Sequence, residues 1–255
     1  MRLMFIGDVV GHTGCEFLAS KMRSLKTKYN VDITVINGEN SATGNGITRT
    51  SCDFLTSIGA DVITTGNHAF KRRESLSMFD EVDHLIRPIN YPEGVIGKGS
   101  YILDMGRYSV CVINLMGVIY LEALGNPFSA IDEALKNVDT KNIFVDFHAE
   151  ATSEKKALGF YLDGRVTAVL GTHTHVQTAD EAILPNGTAY ITDVGMTGPE
   201  LSVLGVDKEP AIEKQRLNIP VRFIEADTPC FICGVVVEFD EKTGKALSIE
   251  RIMER

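Results

Sequence analysis

The chain has 255 residues, of which 44% are hydrophobic and 23% are charged, and its formal net charge is −9. This length is enough to bury a sizeable core, and no segment approaches the ~20 apolar residues that a membrane-spanning helix needs. The acidic balance repels phosphate backbones and therefore disfavours duplex nucleic acid as a partner.

The five cysteines are odd in number and scattered, which argues against the disulfide framework of a small secreted protein. A reducing cytoplasm suits them better. The short apolar run at the start of the chain is interrupted by Asp8 and lacks the longer apolar region of a signal peptide. We therefore expect a cytoplasmic protein that has no membrane partner.

In the first part of the chain, apolar runs alternate with Gly, Asn or Asp turns and amphipathic stretches. This rhythm is typical of βαβ units and a largely parallel sheet. It predicts strands at 3–8, 33–37 and 61–66, with helices at about 15–29 and from Thr48 or Thr50 to about Ile58. Each strand delivers polar residues at its carboxyl end, which is the edge where open α/β sheets bind ligands.

The second part begins with residues 101–115, which predict two antiparallel strands joined at 105–107. The further predicted elements are a helix at 129–137, a strand at 142–148, a helix from Thr152 or Ser153 to about Leu162, and strands at 166–175, 188–194, 231–239 and 246–252. Residues 195–229 show no clear periodicity and are interpreted as a long excursion. No linker divides the chain, so a single domain over residues 1–255 is predicted.

Five short polar segments each follow an apolar, strand-like run. They are Gly7-Asp8, Gly38-Glu39-Asn40, Gly66-Asn67-His68, His148, and Gly171-Thr172-His173-Thr174-His175. In a parallel sheet these strand ends converge on one edge, which would then hold two carboxylates, two asparagines and four histidines. Carboxylate oxygens and imidazole nitrogens together suit Zn²⁺, Mn²⁺ or iron.

Each segment taken alone has an ordinary structural explanation. Asp8 or Glu39 would most often be a turn or helix-cap residue, and a single histidine at a strand end is most often simply hydrogen-bonded. His173 and His175 are two residues apart, so they would share a face in a regular strand or serve two adjacent ions in a loop. The recurrence at five equivalent positions favours a metal centre.

The order of these motifs resembles that of the calcineurin-like metallophosphoesterases. It is closer still to their bacterial branch, the YmdB-type 2′,3′-cyclic-nucleotide 2′-phosphodiesterases. The stretches that carry the resemblance are MFIGDVVG, VINGEN, ITTGNHAF, VDFHAEATSEK, VLGTHTHVQTAD and ITDVGMTGP, which run from residue 4 to residue 199.

The sequence departs from the wider superfamily at two motif positions. Val10 stands where the usual D-x-H motif has its histidine, and Glu39 stands where an aspartate usually bridges the metals. The resemblance to the bacterial branch accounts for both, because Glu39 would bridge and Asn40 would replace the missing histidine. His12 lies four residues after Asp8 and is out of register with that histidine.

The resemblance implies two ions, either divalent or of mixed valence, with iron or manganese first and zinc as the alternative. It assigns Asp8, Glu39, Asn40 and His175 to one ion, and Glu39, Asn67, His148 and His173 to the other. His68 is left free as the general acid. The implied α/β fold is a four-layer α/β/β/α sandwich of two mixed sheets flanked by helices, in which the middle hairpin and the C-terminal strands suit the second sheet.

The function implied by the resemblance is dinuclear-metal hydrolysis of cyclic nucleotides or another phosphodiester, by attack of a metal-bridging hydroxide. The substrate would be a 2′,3′-cyclic nucleotide, with 3′,5′-cyclic nucleotides as an extension. A phosphomonoesterase on the same site and a nonenzymatic nucleotide-binding or RNA-binding regulator stay open, as does assembly into a homo-oligomer.

Two other features carry less weight at this stage. The pair Cys230 and Cys233 lies alone in an apolar strand, whereas a structural zinc site needs four ligands, so core packing is the better interpretation. Glu150, Lys155 and Lys156 follow His148 and either support the metal centre or begin a solvated helix.

Overall fold

The computed structural model describes residues 1–255. Its strands are β1 (Arg2–Ile6), β2 (Asp8–Val9), β3 (Ile33–Asn37), β4 (Val62–Thr64), β5 (Ser100–Asp104), β6 (Ser109–Met116), β7 (Asn142–His148), β8 (Ala168–Thr172), β9 (Ala182–Ile183), β10 (Ala189–Ile191), β11 (Met196–Pro199), β12 (Cys230–Phe239) and β13 (Ala246–Glu254). Its helices are α1 (Gly11–Tyr29), α2 (Arg49–Ser57), α3 (Met78–Glu81), α4 (Pro127–Leu135), α5 (Thr152–Tyr161) and α6 (Lys208–Leu217). None of these helices has the length and apolar character needed to cross a bilayer.

The strands form two mixed sheets. The first has the order β2-β11-β12-β1-β3-β4, with β13 paired to β12, and the second has the order β5-β6-β7-β8-β10-β9. In the first sheet β1, β3 and β4 are parallel, while β12 runs antiparallel to β1. In the second sheet β6, β7, β8 and β10 are parallel. Each sheet therefore collects several carboxyl strand ends at one edge.

Alternating side chains of the strands build separate apolar layers on the two faces of each sheet. Leu3 and Phe5 of β1 pack in the cluster between the sheets, together with Phe144 of β7. Met4 and Ile6, on the opposite face of β1, pack in the cluster that includes residues of α1 and α2. A third cluster joins the outer face of the second sheet to α4 and α5. This period of two confirms the predicted four-layer α/β/β/α sandwich.

Long-range contacts account for two wrong predictions. The C-terminal strands β12 and β13 lie in the first sheet, because β12 pairs with β1 and β11 and does not join the middle hairpin. Helix α1 begins at Gly11 and not near residue 15. The Glu225 carboxylate accepts hydrogen bonds from the Thr13 amide (3.2 Å) and hydroxyl (2.6 Å) and so satisfies donors at the start of the helix.

Local backbone geometry accounts for the others. The strand predicted at 166–175 ends at Thr172, because His173 (φ 103°) and His175 (φ 65°) leave the extended conformation. Helix α4 starts two residues early, at Pro127, where the Asn126 side chain accepts hydrogen bonds at its N-terminus. Residues 195–229, interpreted as an excursion, include β11 and α6. The hairpin predicted at 105–107 is confirmed between β5 and β6.

Candidate metal centre

The carboxyl ends of the parallel strands in both sheets meet in one connected cluster of polar side chains. The contact that joins the sheets runs from Glu39, after β3, to His148, at the end of β7, where Oε2 and Nε2 lie 3.3 Å apart. The side chains that the structure brings together here are all eight predicted from the sequence: Asp8, Glu39, Asn40, Asn67, His68, His148, His173 and His175.

Glu39 lies at the middle of the cluster and is 1% exposed. One carboxylate oxygen lies 2.9 Å from the Asn40 amide nitrogen and 3.2 Å from His68 Nδ1, and the other accepts from the His68 backbone amide. Burial alone would raise the pKa of Glu39, but the imidazoles of His148 and His68 outweigh burial and lower this pKa to about 2. Glu39 is therefore an ionised carboxylate with neighbours on both sides.

A chain of hydrogen bonds sets the tautomer of the fully buried His148. Thr172 donates its hydroxyl hydrogen to Asp146 (2.7 Å), so the Thr172 oxygen accepts from His148 Nδ1 at 2.9 Å. The proton consequently resides on Nδ1, and the Nε2 lone pair points into the cluster. Burial raises the pKa of Asp146, the last acceptor in this chain, to about 7.

The Nε2 atom of His148 is surrounded by acceptors. It lies 2.9 Å from Asn67 Oδ1 and 3.1 Å from His173 Nδ1, whose ring places its other nitrogen 3.1 Å from the Glu150 carboxylate. Burial lowers the pKa of His148 to about 3, so a proton is a poor counter-charge here. A metal cation fits this surplus of lone pairs, and the ligand atoms of Glu39, His148 and His173 lie within 4.8 Å of one another.

His175 and Asp8 offer a second set of lone pairs beside Asn40. The Leu204 carbonyl accepts from His175 Nδ1 at 3.1 Å, which leaves Nε2 facing the Asn40 amide at 3.3 Å. The fully buried Asp8 accepts from the His173 amide through Oδ2, while its Oδ1 has no partner. Burial, followed by the charge of Glu39, raises the pKa of Asp8 well above its usual value. A cation beside Asp8 would offset both causes.

His68 occupies a different position from the other histidines. Its Nδ1 lies 2.8 Å from Asn40 Oδ1, and its Nε2 has no hydrogen-bond partner in the protein. The side chain is 24% exposed, so the ring borders the cluster and also reaches solvent. This arrangement leaves one ring nitrogen available to a bound substrate.

A buried ion pair that the sequence left unresolved supports the loop carrying His173 and His175. Lys155, which is 1% exposed, donates to the Thr172 carbonyl (2.8 Å) and to Asp193 (2.7 Å). The same Asp193 oxygen accepts from the Thr174 amide at 3.0 Å, so the ion pair is hydrogen-bonded to the backbone on both sides of His173. A non-glycine residue at φ 103° is strained and persists only where its surroundings hold it.

Sequence reasoning also missed Asp146 and Asp193, although each left a signal. Asp146 interrupts the apolar centre of strand NIFVDFH two residues before His148, and Asp193 comes two residues after the end of β10. A charged residue in a buried strand needs a partner, which was the available clue. His12 lies outside the cluster, is 71% exposed and pairs with Glu16. Cys233 is buried in β12, and both Cys230 and Cys233 are free thiols.

Comparison with known proteins identifies the family of this chain. The family model described as "YmdB-like protein" matches residues 4–252 of the chain. The chain belongs to the YmdB-like family. A relative from Bacillus subtilis, named 2′,3′-cyclic-nucleotide 2′-phosphodiesterase, is 50% identical over 255 residues, which cover 99% of this chain and 97% of that protein.

Solved structures of similar chains extend the match to the fold. A Mycoplasma pneumoniae protein described as a novel phosphatase superposes with a TM-score of 0.95 at 35% identity, covering 99% of this chain and 92% of that one. A hypothetical protein from Thermus thermophilus gives 0.93 at 38% identity, covering 99% and 98%. The metallophosphoesterase family implies divalent metal ions, and the acceptors that surround His148 suit such ions in this YmdB-like chain.

Proposed function

We propose that this chain is a metal-dependent phosphodiesterase of cyclic nucleotides, with 2′,3′-cyclic nucleotides first and 3′,5′-cyclic nucleotides second. That it is a hydrolytic phosphoesterase follows from the activities for which its relatives are named. The observation that supports metal-dependent cleavage of a cyclic nucleotide is the surplus of hydrogen-bond acceptors around His148. The same cluster also holds His68, whose Nε2 has no hydrogen-bond partner in the protein. All 255 residues act as one domain in this proposal, because both sheets contribute to the cluster.

Seven side chains would hold two ions, and Glu39 would be shared because its carboxylate lies between the two ligand sets. The first set adds Asp8, Asn40 and His175 to Glu39, and the second adds Asn67, His148 and His173. Bound ions would supply an activated water at neutral pH and would neutralise charge on the phosphate oxygens. The mixture of oxygen and imidazole ligands favours iron or manganese, with zinc as the alternative, over Mg²⁺.

His68 is the proposed general acid. Its Nδ1 proton is held by Asn40 Oδ1 at 2.8 Å, so Nε2 is the ring nitrogen that would carry the donated proton. The free Nε2 can then donate a proton to the leaving alkoxide as the P–O bond breaks. For a 2′,3′-cyclic substrate, donation to the 2′ oxygen leaves a 3′-nucleotide.

The test is a substrate panel measured on the protein before and after verified metal removal. It compares 2′,3′-cyclic AMP, 3′,5′-cyclic AMP, 3′-AMP and bis-p-nitrophenyl phosphate. We expect turnover of the 2′,3′-cyclic substrate that disappears with the metal and returns with Mn²⁺ or Fe²⁺. Full activity in the metal-free protein would refute the proposal. Faster turnover of 3′-AMP than of either cyclic diester would favour a phosphomonoesterase, which is the second candidate because the Mycoplasma relative is described as a phosphatase.

A further inference from the structure

A cavity of about 770 Å³ opens beside the metal centre, between the loop after β3 and the segment that precedes β12. Asn40, which belongs to the centre, also lines this cavity. Two backbone contacts tie its walls to the centre: the Lys71 amide donates to the His68 carbonyl (3.0 Å), and the Leu204 carbonyl, next to lining residue Gly205, accepts from His175. The cavity is therefore a continuation of the metal centre.

One wall presents an aromatic ring on an anchored backbone. Phe223 is 49% exposed and lines the cavity. The residues that follow it are held firmly, because the Ile224 carbonyl accepts from the Asp207 amide (2.8 Å) and Glu225 accepts from Thr13 at the start of α1. An exposed ring on fixed backbone is a surface on which a nucleobase can stack, and such stacking tolerates different bases.

Two cations face the same cavity without partners. Neither Lys71 nor Arg222 has an ion pair or a side-chain hydrogen bond with the rest of the protein, although the chain has a net charge of −9. The one acidic residue of the lining, Glu225, is already engaged by Thr13. Because the reacting phosphate belongs at the metal ligands, these two cations are available to a second anionic group.

The volume agrees with a substrate larger than a reacting phosphate and its ribose, because pockets of roughly 300–1,000 Å³ enclose whole drug-sized ligands. We infer that the cavity binds the part of the substrate on the 5′ side of the cyclic phosphate, with the base of the terminal nucleotide on Phe223 and the 5′ phosphate of that nucleotide on Lys71 and Arg222. The substrate class is then the 2′,3′-cyclic phosphate end of a short oligoribonucleotide. This inference rests on the proposed function and names the substrate of that same site.

The kinetic test compares 2′,3′-cyclic AMP with the dinucleotide ApA that ends in a 2′,3′-cyclic phosphate. We expect the KM of the dinucleotide to be about tenfold lower in the unchanged protein. In the double variant Lys71→Ala/Arg222→Ala the KM ratio should fall to about one, and Phe223→Ala should raise KM for both substrates. Lys214→Ala removes an exposed cation of α6 that does not line the cavity, and it should preserve the tenfold ratio.

A binding test keeps this inference separate from the catalytic proposal. Calorimetry compares 3′-AMP with ApA carrying a 3′-phosphate, and we expect about tenfold tighter binding of the dinucleotide, lost in the double variant. Equal affinity of the two ligands for the unchanged protein would overturn the inference even if both cyclic substrates are hydrolysed. Preferential dinucleotide binding without hydrolysis of any phosphodiester would support the cavity and refute the proposed function.

Discussion

Replacing Lys155 by methionine removes a buried ammonium group from behind the loop that carries His173 and His175. The methionine side chain can fill most of the space of the lysine stem, so the main loss is the charge and its two hydrogen bonds. Those bonds go to the Thr172 carbonyl and to Asp193, which is itself fully buried. The variant therefore leaves a carboxylate without a counter-ion inside the protein.

The structure sets the expected magnitude. Removing one partner of a buried ion pair costs about 3–5 kcal/mol, because the remaining charge stays desolvated. Asp193 keeps hydrogen bonds from the Thr174 amide (3.0 Å) and the Gly195 amide (2.8 Å), which favours the lower end, about 3 kcal/mol. At about 2–4 °C per kcal/mol for a chain of this size, the midpoint of thermal unfolding should fall by about 6–12 °C.

The assay is urea and thermal unfolding in excess chelator, so that metal binding does not add to the measured stability. Lys156→Met is the matched control, because the neighbouring lysine is 49% exposed and its ion pair with Asp180 lies at the surface. Its cost should stay within about 1 kcal/mol. The double variant Lys155→Met/Asp193→Asn removes both charges, so it should lose at least about 1 kcal/mol less than the sum of its two single variants.

Two results would refute this reasoning. A loss below about 1 kcal/mol for Lys155→Met would mean that Asp193 is stabilised without the ammonium group. Strict additivity in the double variant would mean that the two side chains do not interact, whatever distance separates them. Either result would also remove the physical reason for expecting His173 to keep its strained backbone.

Three further predictions concern the metal centre and the surface beside it. His68→Ala should retain the metal, measured by elemental analysis, but lose about 10²–10⁴-fold in kcat on a cyclic nucleotide. The loss in kcat should be smaller for a substrate with a p-nitrophenol leaving group, because that oxygen needs little protonation. An equal loss on both substrates would argue against proton donation by His68. Glu39→Ala should lower the occupancy of both ions, and full retention of one would contradict a shared ligand. Burial raises the pKa of Asp180, but hydrogen bonds from Thr192 and Thr178 outweigh it and lower this pKa to about 2. Asp180 therefore stabilises the fold fully above its unfolded pKa of about 3.9, and this contribution is lost as the pH falls through 2. Asp180→Asn should cost about 1–2 kcal/mol in urea unfolding at pH 7, and a difference from the unchanged protein that persists undiminished at pH 2 would contradict this cause.

The part of the centre that follows the parallel strands could be predicted from the sequence. Asp8, Glu39 and His148 each lie at the end of an apolar strand or two residues beyond it, and parallel topology carries such positions to one edge. Alternating apolar residues also predict the two faces of strands such as β1, which separates Leu3 and Phe5 from Met4 and Ile6. These features depend on local pattern and on a general rule of sheet topology.

The parts that were wrong depend on partners far away in the chain. Helix α1 starts early because of Glu225, which is 212 residues from Thr13, and no pattern near Gly11 reveals that partner. Strand β12 lies in the first sheet because its residues 234–238 pair with β1. This pairing joins the two ends of the chain and depends on tertiary packing, which a local sequence pattern does not reveal. The positive φ of His173 is stabilised by the contacts of Lys155 and Asp193 with the neighbouring backbone. The apolar run before His173 therefore could not predict that the strand ends at Thr172.

The division of the eight residues between the two sheets has a consequence for folding. Five of them follow strands of the first sheet, whereas His148, His173 and His175 belong to the second. An ion held by both groups would act as a cross-link between segments more than 80 residues apart, much as a disulfide closes a long loop. Metal supply would then influence how long the folded chain survives proteolysis, and amide exchange in β3 and β7 would slow together when the ion binds.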